Sequence, residues 1–321
     1  MQPEGSHVVR DERTDQVARP PGRARQEPAP RRGGLGHALL ATARPRQWAK
    51  NVLVFGAPIT GHALLEARPL ARAVLTFVAF CLASSGMYYV NDIVDRQADR
   101  AHPRKRSRPI AAGRLGVRLA LAVATLLVAG GLTVAVWGAG PEVGAVLAGY
   151  VALALSYTLV LRGIVLVDLA AVAGGFVLRA AAGGVAVDVP LSSWFLIVAC
   201  FGALFVATGK RRVEHSGLGE ARGDHRRTLQ EYSEPYLRYV MSSTSTVTIA
   251  AYCLWAFEGP SGRSVASAVS ILPFVLGIYR YAMLLDAGRG GTPEEVILRD
   301  RPLQLCGLFW VLLVGLGVYL R

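Results

Sequence analysis

From about Val52 to Leu320 the sequence is a succession of long apolar runs separated by short polar or basic stretches. The runs fall at 52–65, 70–95, 117–138, 142–161, 164–186, 192–209, 238–257, 265–285 and 303–320, nine in all. A helix needs about 20 apolar residues to cross the hydrocarbon core of a bilayer, and most of the runs reach that length, the first being short. Pro58, Gly174, Gly175, Gly183, Gly184 and Pro273 lie inside the runs, where membrane helices that pack closely on one another tolerate them. The pattern predicts an all-α fold, a polytopic membrane helical bundle of about nine transmembrane helices. Ahead of it, residues 1–34 are rich in Arg, Pro, Glu, Gln and Gly and nearly free of bulky apolar side chains, so a disordered basic tail is expected there. Residues 35–321 then form the membrane domain. Between Leu35 and Lys50, leucines and Trp48 alternate with Arg44, Arg46 and Lys50, which predicts a helix lying at the membrane interface.

Composition agrees with a membrane protein: of 321 residues 52% are hydrophobic and 18% charged, with a mean hydropathy of +0.37. The four cysteines, Cys81, Cys200, Cys253 and Cys306, sit at wide, irregular spacing inside apolar runs and read as small hydrophobes. The six histidines form no pair at helical spacing, so any metal site must be built from carboxylates. A net charge of +13 raises the question of nucleic acid, but the basic residues are confined to loops and lack interleaved aromatics, so no nucleic acid is expected. Anionic lipid headgroups and phosphorylated substrates suit them better. Lys and Arg gather in the tail, at 96–118, at Arg162, at 210–227 and at 289–301, and are sparse in the alternate connections. The positive-inside rule then places the N-terminus and the large loops in the cytoplasm, in a multi-pass protein of the cell (inner) membrane.

At the end of the second run stands Tyr88-Tyr89-Val90-Asn91-Asp92-Ile93-Val94-Asp95-Arg96-Gln97-Ala98-Asp99. On a helix Asp92, Asp95 and Asp99 fall at i, i+3 and i+7, so three carboxylates share one face with Asn91 beside them. Such a face repels itself unless a cation sits on it, and hard oxygen ligands at this spacing suit Mg²⁺ shared with substrate phosphates. The implied ligand is a metal diphosphate; the alternative is an acidic turn on a solvated helix end. Three further clusters lie at the same predicted side. Residues 44–51 read RPRQWAKN, either an interfacial anchor or part of a site. Tyr157 and Arg162 are followed by Asp168 and Arg179, eleven positions apart on one helix face and expected to pair with each other or to serve substrate. Lys210-Arg211-Arg212-Val213-Glu214 is either a positive-inside signal or a phosphate clamp.

The NDxxDxxxD motif at the end of the second of nine spans resembles the UbiA superfamily of intramembrane prenyltransferases. Within it, RPRQWAKN (44–51), NDIVDRQAD (91–99), HPRKRSRPIAAG (102–113) and GKRRVE (209–214) are similar to the decaprenyl-phosphate phosphoribosyltransferase family. The resemblance covers nearly the whole chain from Leu35. It departs from ordinary prenyltransferases where those carry a second aspartate-rich motif, because Lys210-Arg211-Arg212-Val213-Glu214 is largely cationic. One acidic and one basic cluster fit a donor with a diphosphate at one end and a bare phosphate elsewhere, such as phosphoribosyl pyrophosphate. The resemblance implies Mg²⁺-dependent transfer of 5-phosphoribose from that donor to a polyprenyl phosphate, for cell-wall arabinan precursors. Asn91, Asp92, Asp95 and Asp99 would hold the metal diphosphate, and Lys50, Lys105, Arg108, Arg162, Lys210 and Arg211 the other phosphates. Tyr88, Tyr89 or Tyr157 would face the cationic sugar carbon. A homo-oligomer is compatible with this fold. The alternatives are transfer of a prenyl chain from a prenyl diphosphate to a small acceptor, and a non-enzymatic lipid-phosphate carrier or scaffold.

Overall fold

The computed structural model describes residues 34–103, 105–216, 231–258, 264–287 and 293–320, and among these there are helices and turns but no strand. The tail, Arg104, the segment 217–230 with Arg222, Arg226 and Arg227, and also Arg263 and Arg289 lie outside the described residues. The helices are α1 (Leu35–Ala43), α2 (Gly56–Thr60), α3 (Ala67–Val94), α4 (Arg96–Ala101), α5 (Val117–Thr133), α6 (Pro141–Leu159) and α7 (Val167–Ala186). They continue as α8 (Ser193–Ser216), α9 (Glu234–Glu258), α10 (Val265–Val269), α11 (Ile271–Asp286), α12 (Pro293–Arg299) and α13 (Arg301–Tyr319).

Eight of these units are long and apolar enough to cross a membrane: α3, α5 with its π-helical end Val134–Ala139, α6, α7, α8, α9, α10 joined to α11, and α13. In hydrocarbon each backbone N–H and C=O must be paired within its own segment, which is why apolar runs of this length become helices. α3 and α7 are the most enclosed and form the centre of the bundle, whereas α13 shows most of its surface to lipid. Both carry buried small side chains, Ala79, Ala83 and Ser84 on α3 and Ala173, Ala180 and Ala182 on α7, which let neighbouring helices approach closely, as Gly131 of α5 does at Ala79 and Ala83.

The first apolar run is where the structure departs from a plain reading of hydropathy. Residues 44–65 are no membrane-spanning α-helix but a 3₁₀ segment (Pro45–Phe55), the short α2 and a 3₁₀ turn (Ala63–Leu65). Residues 44–55 nevertheless run alongside α3 from Asp92 to Phe77, in the opposite direction. Arg44 meets Asp92, Trp48 donates to Ser85 at 2.9 Å, Asn51 reaches Ser84 and Cys81 at 3.4 and 3.3 Å, and Phe55 packs on Phe77. From 44 to 55 at about 2.0 Å per residue, and from 92 to 77 at about 1.5 Å, both paths measure about 22 Å. The 3₁₀ segment thus keeps pace with this part of α3 using fewer residues, and among the described residues eight helices are long enough to cross a membrane, one fewer than the nine apolar runs. Trp48 and Asn51 accordingly are not interfacial anchors: their polar atoms are bonded inside the bundle. At the far end the ring of His62 lies 2.5 Å from the carbonyl of Val318, joining this segment to the last helix.

The 3₁₀ segment is seated on α7 through Gly183. A Cβ built there would fall on the carbonyl of Val54. Gly183→Ala is therefore expected to cost about 2–3 kcal/mol, since backbone cannot move aside as a side-chain tip can. Gly149→Ala, at a helical glycine whose added Cβ meets open space, serves as the control. Thermal unfolding in detergent measures both, and equal midpoints would show that the segment does not seat on α7.

Candidate active site

At one end of the bundle the polar residues of five elements converge. The helical hydrogen-bond ladder continues through the acidic motif: Asp95 N–H donates to Asn91 at 2.9 Å and Asp99 N–H to Asp95 at 2.8 Å. Asp92 and Asp99, both buried, point to one place, because a single nitrogen of Arg108, Nη1, lies 3.2 Å from Asp92 and 2.7 Å from Asp99. Arg44 Nη2 adds a second contact to Asp92 at 2.5 Å, and its guanidinium lies over the ring of Tyr88, 5.0 Å from the centroid. Asp95 turns away from this pair to Arg162, on the α6–α7 connection. Arg108 is aimed inward by its loop: Ile110 and Leu115 are buried against Tyr89, Ala120 and Ala124, while Arg100 Nε donates to the Ala111 carbonyl at 2.9 Å. Arg44 sits at φ 53°, ψ 60°, the left-handed turn that joins α1 to the 3₁₀ segment.

The second half is built at the start of α7 and the end of α8. Asp168, fully buried, accepts from Arg211 Nε at 3.1 Å and from the Tyr232 hydroxyl at 2.7 Å. Arg211 reaches Glu214 with Nη1 at 2.9 Å and the Tyr157 hydroxyl with Nη2 at 3.2 Å. Lys210, half exposed, lies 3.9 Å from Glu214. Burial, and then donation to Asp168, push the Tyr232 phenol pKa up, so it remains a proton donor.

The expected pairing of Asp168 with Arg179 does not form. Eleven residues of helix put the two about 16 Å apart along α7, so a shared face is not a shared location. Arg179 instead ties a mid-bundle knot: Nε to Asn51 Oδ1 at 2.7 Å, Nη1 to the Gly175 carbonyl at 2.7 Å and Nη2 to the Tyr150 hydroxyl at 2.9 Å.

Of the residues singled out from sequence, the structure brings Tyr88, Asp92, Asp99 and Arg108 together, sets Asp95 against Arg162, and joins Tyr157 to Arg211. Asn91 and Lys50 are half-buried on α3 and the 3₁₀ segment, and Lys105 is exposed on the loop after α4. Arg44 and Tyr232 were not among those candidates. RPRQWAKN held a signal for Arg44, an arginine whose run also fits a site, but nothing in the pattern around Tyr232 marks it.

Among the described residues no three Asp, Glu, His or Cys groups close on one point as a metal cage. Two convergent carboxylates do fit Mg²⁺ in its common mode, where one or two protein carboxylates share the ion with substrate phosphates and water. Their present partner, a guanidinium, shows that the position accepts a cation.

The model of the UbiA prenyltransferase family matches residues 53–314. A decaprenyl-phosphate phosphoribosyltransferase of Mycolicibacterium smegmatis is 40% identical over 298 residues, covering 89% of this chain and 93% of that protein. The protein of the same name from Mycobacterium tuberculosis is 41% identical over 284 residues, covering 87% and 94%. Among solved structures, a UbiA homolog from Archaeoglobus fulgidus bound to DMAPP and Mg²⁺ superimposes with a TM-score of 0.69 at 16% identity, over 87% of this chain and 97% of that one. At that identity the likeness gives the fold.

Proposed function

Because the chain belongs to the UbiA prenyltransferase family, we propose that it transfers 5-phosphoribose from phosphoribosyl pyrophosphate to decaprenyl phosphate, releasing pyrophosphate. The observation that carries this reading is the mixed sign of the converging end. Two carboxylates of α3 and α4 meet at a cation position, while α8 brings Arg211 and Lys210 to the same end of the bundle. A donor with a diphosphate and a separate phosphate matches that arrangement, as does the name shared by relatives about 40% identical over most of their length.

Asp92, Asp95 and Asp99, with Asn91 beside them, would hold Mg²⁺ against the diphosphate. When bound, the ion supplies neutralisation of the charge that builds on the leaving group. Arg44, Arg108 and Arg162 surround the carboxylates and carry fork-shaped donor sets suited to phosphate oxygens. The C1–O bond to the diphosphate breaks with its electron pair going to the diphosphate oxygen, and an oxygen of the lipid phosphate forms the new bond to C1. No proton need move, since the attacking phosphate is already an anion. Tyr88 and Tyr157 stand at the two halves of the site, where a π face stabilises positive charge developing at C1. The loop asymmetry of Lys and Arg supports a site open to the cytoplasm, in the inner membrane, where the soluble donor is found. The lipid-linked product is suited to serve as an arabinan precursor for the cell wall.

The test uses purified protein in detergent with Mg²⁺. Radiolabel from phosphoribosyl pyrophosphate is expected to move into the lipid phase only when polyprenyl phosphate is present, with stoichiometric pyrophosphate. Pyrophosphate release from a prenyl diphosphate with an aromatic acid acceptor, and none from the phosphoribosyl donor, would reverse the assignment in favour of prenyl transfer.

A further inference from the structure

Asp168 has no exposed surface and both of its oxygens are engaged, one by Arg211 and one by Tyr232. A carboxylate removed from water depends on such partners, because nothing else in reach replaces them. The Tyr232 hydroxyl is itself fixed: it accepts the N–H of Leu166 at 2.7 Å. Leu166 has φ 66°, on the left-handed side that a leucine rarely adopts, so the backbone holds strain at the residue that turns its N–H toward the phenol. The ring of Tyr232 is buried and stacked on Tyr236 with centroids 6.2 Å apart. Three segments remote in sequence are thereby locked at one point: the start of α7, the end of α8 and the residues just before α9.

The lock has a direct effect on Arg211. A guanidinium is a rigid planar fork, so committing Nε to Asp168 sets the direction of both terminal nitrogens. Those two reach Tyr157 and Glu214, and Glu214 is half exposed at the mouth. An incoming phosphate can take the place of that carboxylate and keep the interaction charge-assisted. We propose that Tyr232, acting through Asp168, is a positioning residue that holds Arg211 in the orientation that receives a substrate phosphate. The proposal builds on the reading of Arg211 as a phosphate ligand and adds how it is aimed.

Tyr232→Phe in the full-length protein removes the hydroxyl and keeps the stacked ring. It is expected to raise the KM for one phosphate-bearing substrate about five- to tenfold with kcat within about twofold, the size of one lost hydrogen bond. Asp168→Asn is expected to raise the same KM further, because an amide oxygen can accept from only one of the two donors. Arg211→Ala should raise that KM as well. The double variant Tyr232→Phe with Arg211→Ala should be no worse than Arg211→Ala alone, since nothing remains to be aimed. Effects that multiply, or a lowered unfolding midpoint with both KM values unchanged, would make Tyr232 a purely structural residue and overturn the proposal. If Arg211→Ala leaves both KM values unchanged, the phosphate reading of the basic cluster fails, and the proposal with it. A normal KM in Tyr232→Phe beside a raised one in Arg211→Ala defeats the positioning role alone.

Discussion

Asp95→Asn is expected to lower kcat/KM at least a hundredfold, about 2.7 kcal/mol of transition-state stabilisation, while the purified protein stays monodisperse and folded. The reasoning separates two roles for one carboxylate. As a structural partner Asp95 pairs, among the described residues, with Arg162, and both side chains are partly open to water, a setting in which an ion pair contributes about 1 kcal/mol or less. As the proposed ligand it would exchange Arg162 for the metal diphosphate beside Asp92 and Asp99, where losing a full charge would remove stabilisation that forms as the leaving group departs. Asp95 discriminates better than Asp92, whose removal would take the carboxylate from Arg44, leave Arg108 with Asp99 alone and confound activity with folding. Initial rates at saturating Mg²⁺, set beside an unfolding curve for each protein, decide the matter. Parent-level turnover in Asp95→Asn would sink the metal-diphosphate assignment.

Arg179→Ala is expected to produce the largest loss of stability of any substitution named here, about 3–5 kcal/mol. The guanidinium is buried, and no carboxylate among the described residues forms an ion pair with it. Its charge is met by neutral oxygens of Asn51, Gly175 and Tyr150 and by the faces of Tyr150, Phe176 and Phe80 at 4.5, 5.6 and 6.0 Å. Truncation strands each of those polar groups away from water and opens a cavity between α3, α6 and α7. Arg179→Lys should recover little, because a point charge on a flexible stem cannot bridge acceptors on three segments at once. Thermal unfolding in detergent and the yield of monodisperse protein measure the effect; a midpoint within a degree or two of the parent would show that the knot holds nothing together.

What could be read from the sequence follows from what each kind of signal encodes. Hydropathy reports the solvent around a segment, and in a bilayer that solvent dictates helix, so eight long crossings were legible. The first run, counted as a ninth span, was not, because its 3₁₀ winding and the bonding of Asn51 depend on α3 and α7 being there to pair with it. Spacing put Asp92, Asp95 and Asp99 on a common face; Asp92 and Asp99 do converge, whereas Asp95, at the break between α3 and α4, turns to Arg162. The same logic misled at Asp168 and Arg179, since periodicity states direction and is silent about depth. Arg211 as the partner of Asp168, and Tyr232 as its second donor, are contacts between helices, and a single sequence carries no record of which helices meet. The mixed charge of the mouth was readable because it needs only the side of the membrane on which each cluster lies.

The seam between His62 and Val318 has a consequence for how the protein is made. The chain emerges from the ribosome N-terminus first, and the segment bearing Arg44, Trp48 and Asn51 finds its partners on α3 and α7, but its far end meets Val318 only once α13 has been synthesised. Its short, polar-studded run offers the insertion machinery too little greasy length to be released into lipid unaided. The earliest apolar run to be translated is therefore held at its Arg44 end by α3 long before its His62 end is tied to α13. A nascent protein cut short before its final helix thus carries every aspartate of the motif and the partners of Arg44, Trp48 and Asn51, and lacks the tie at His62.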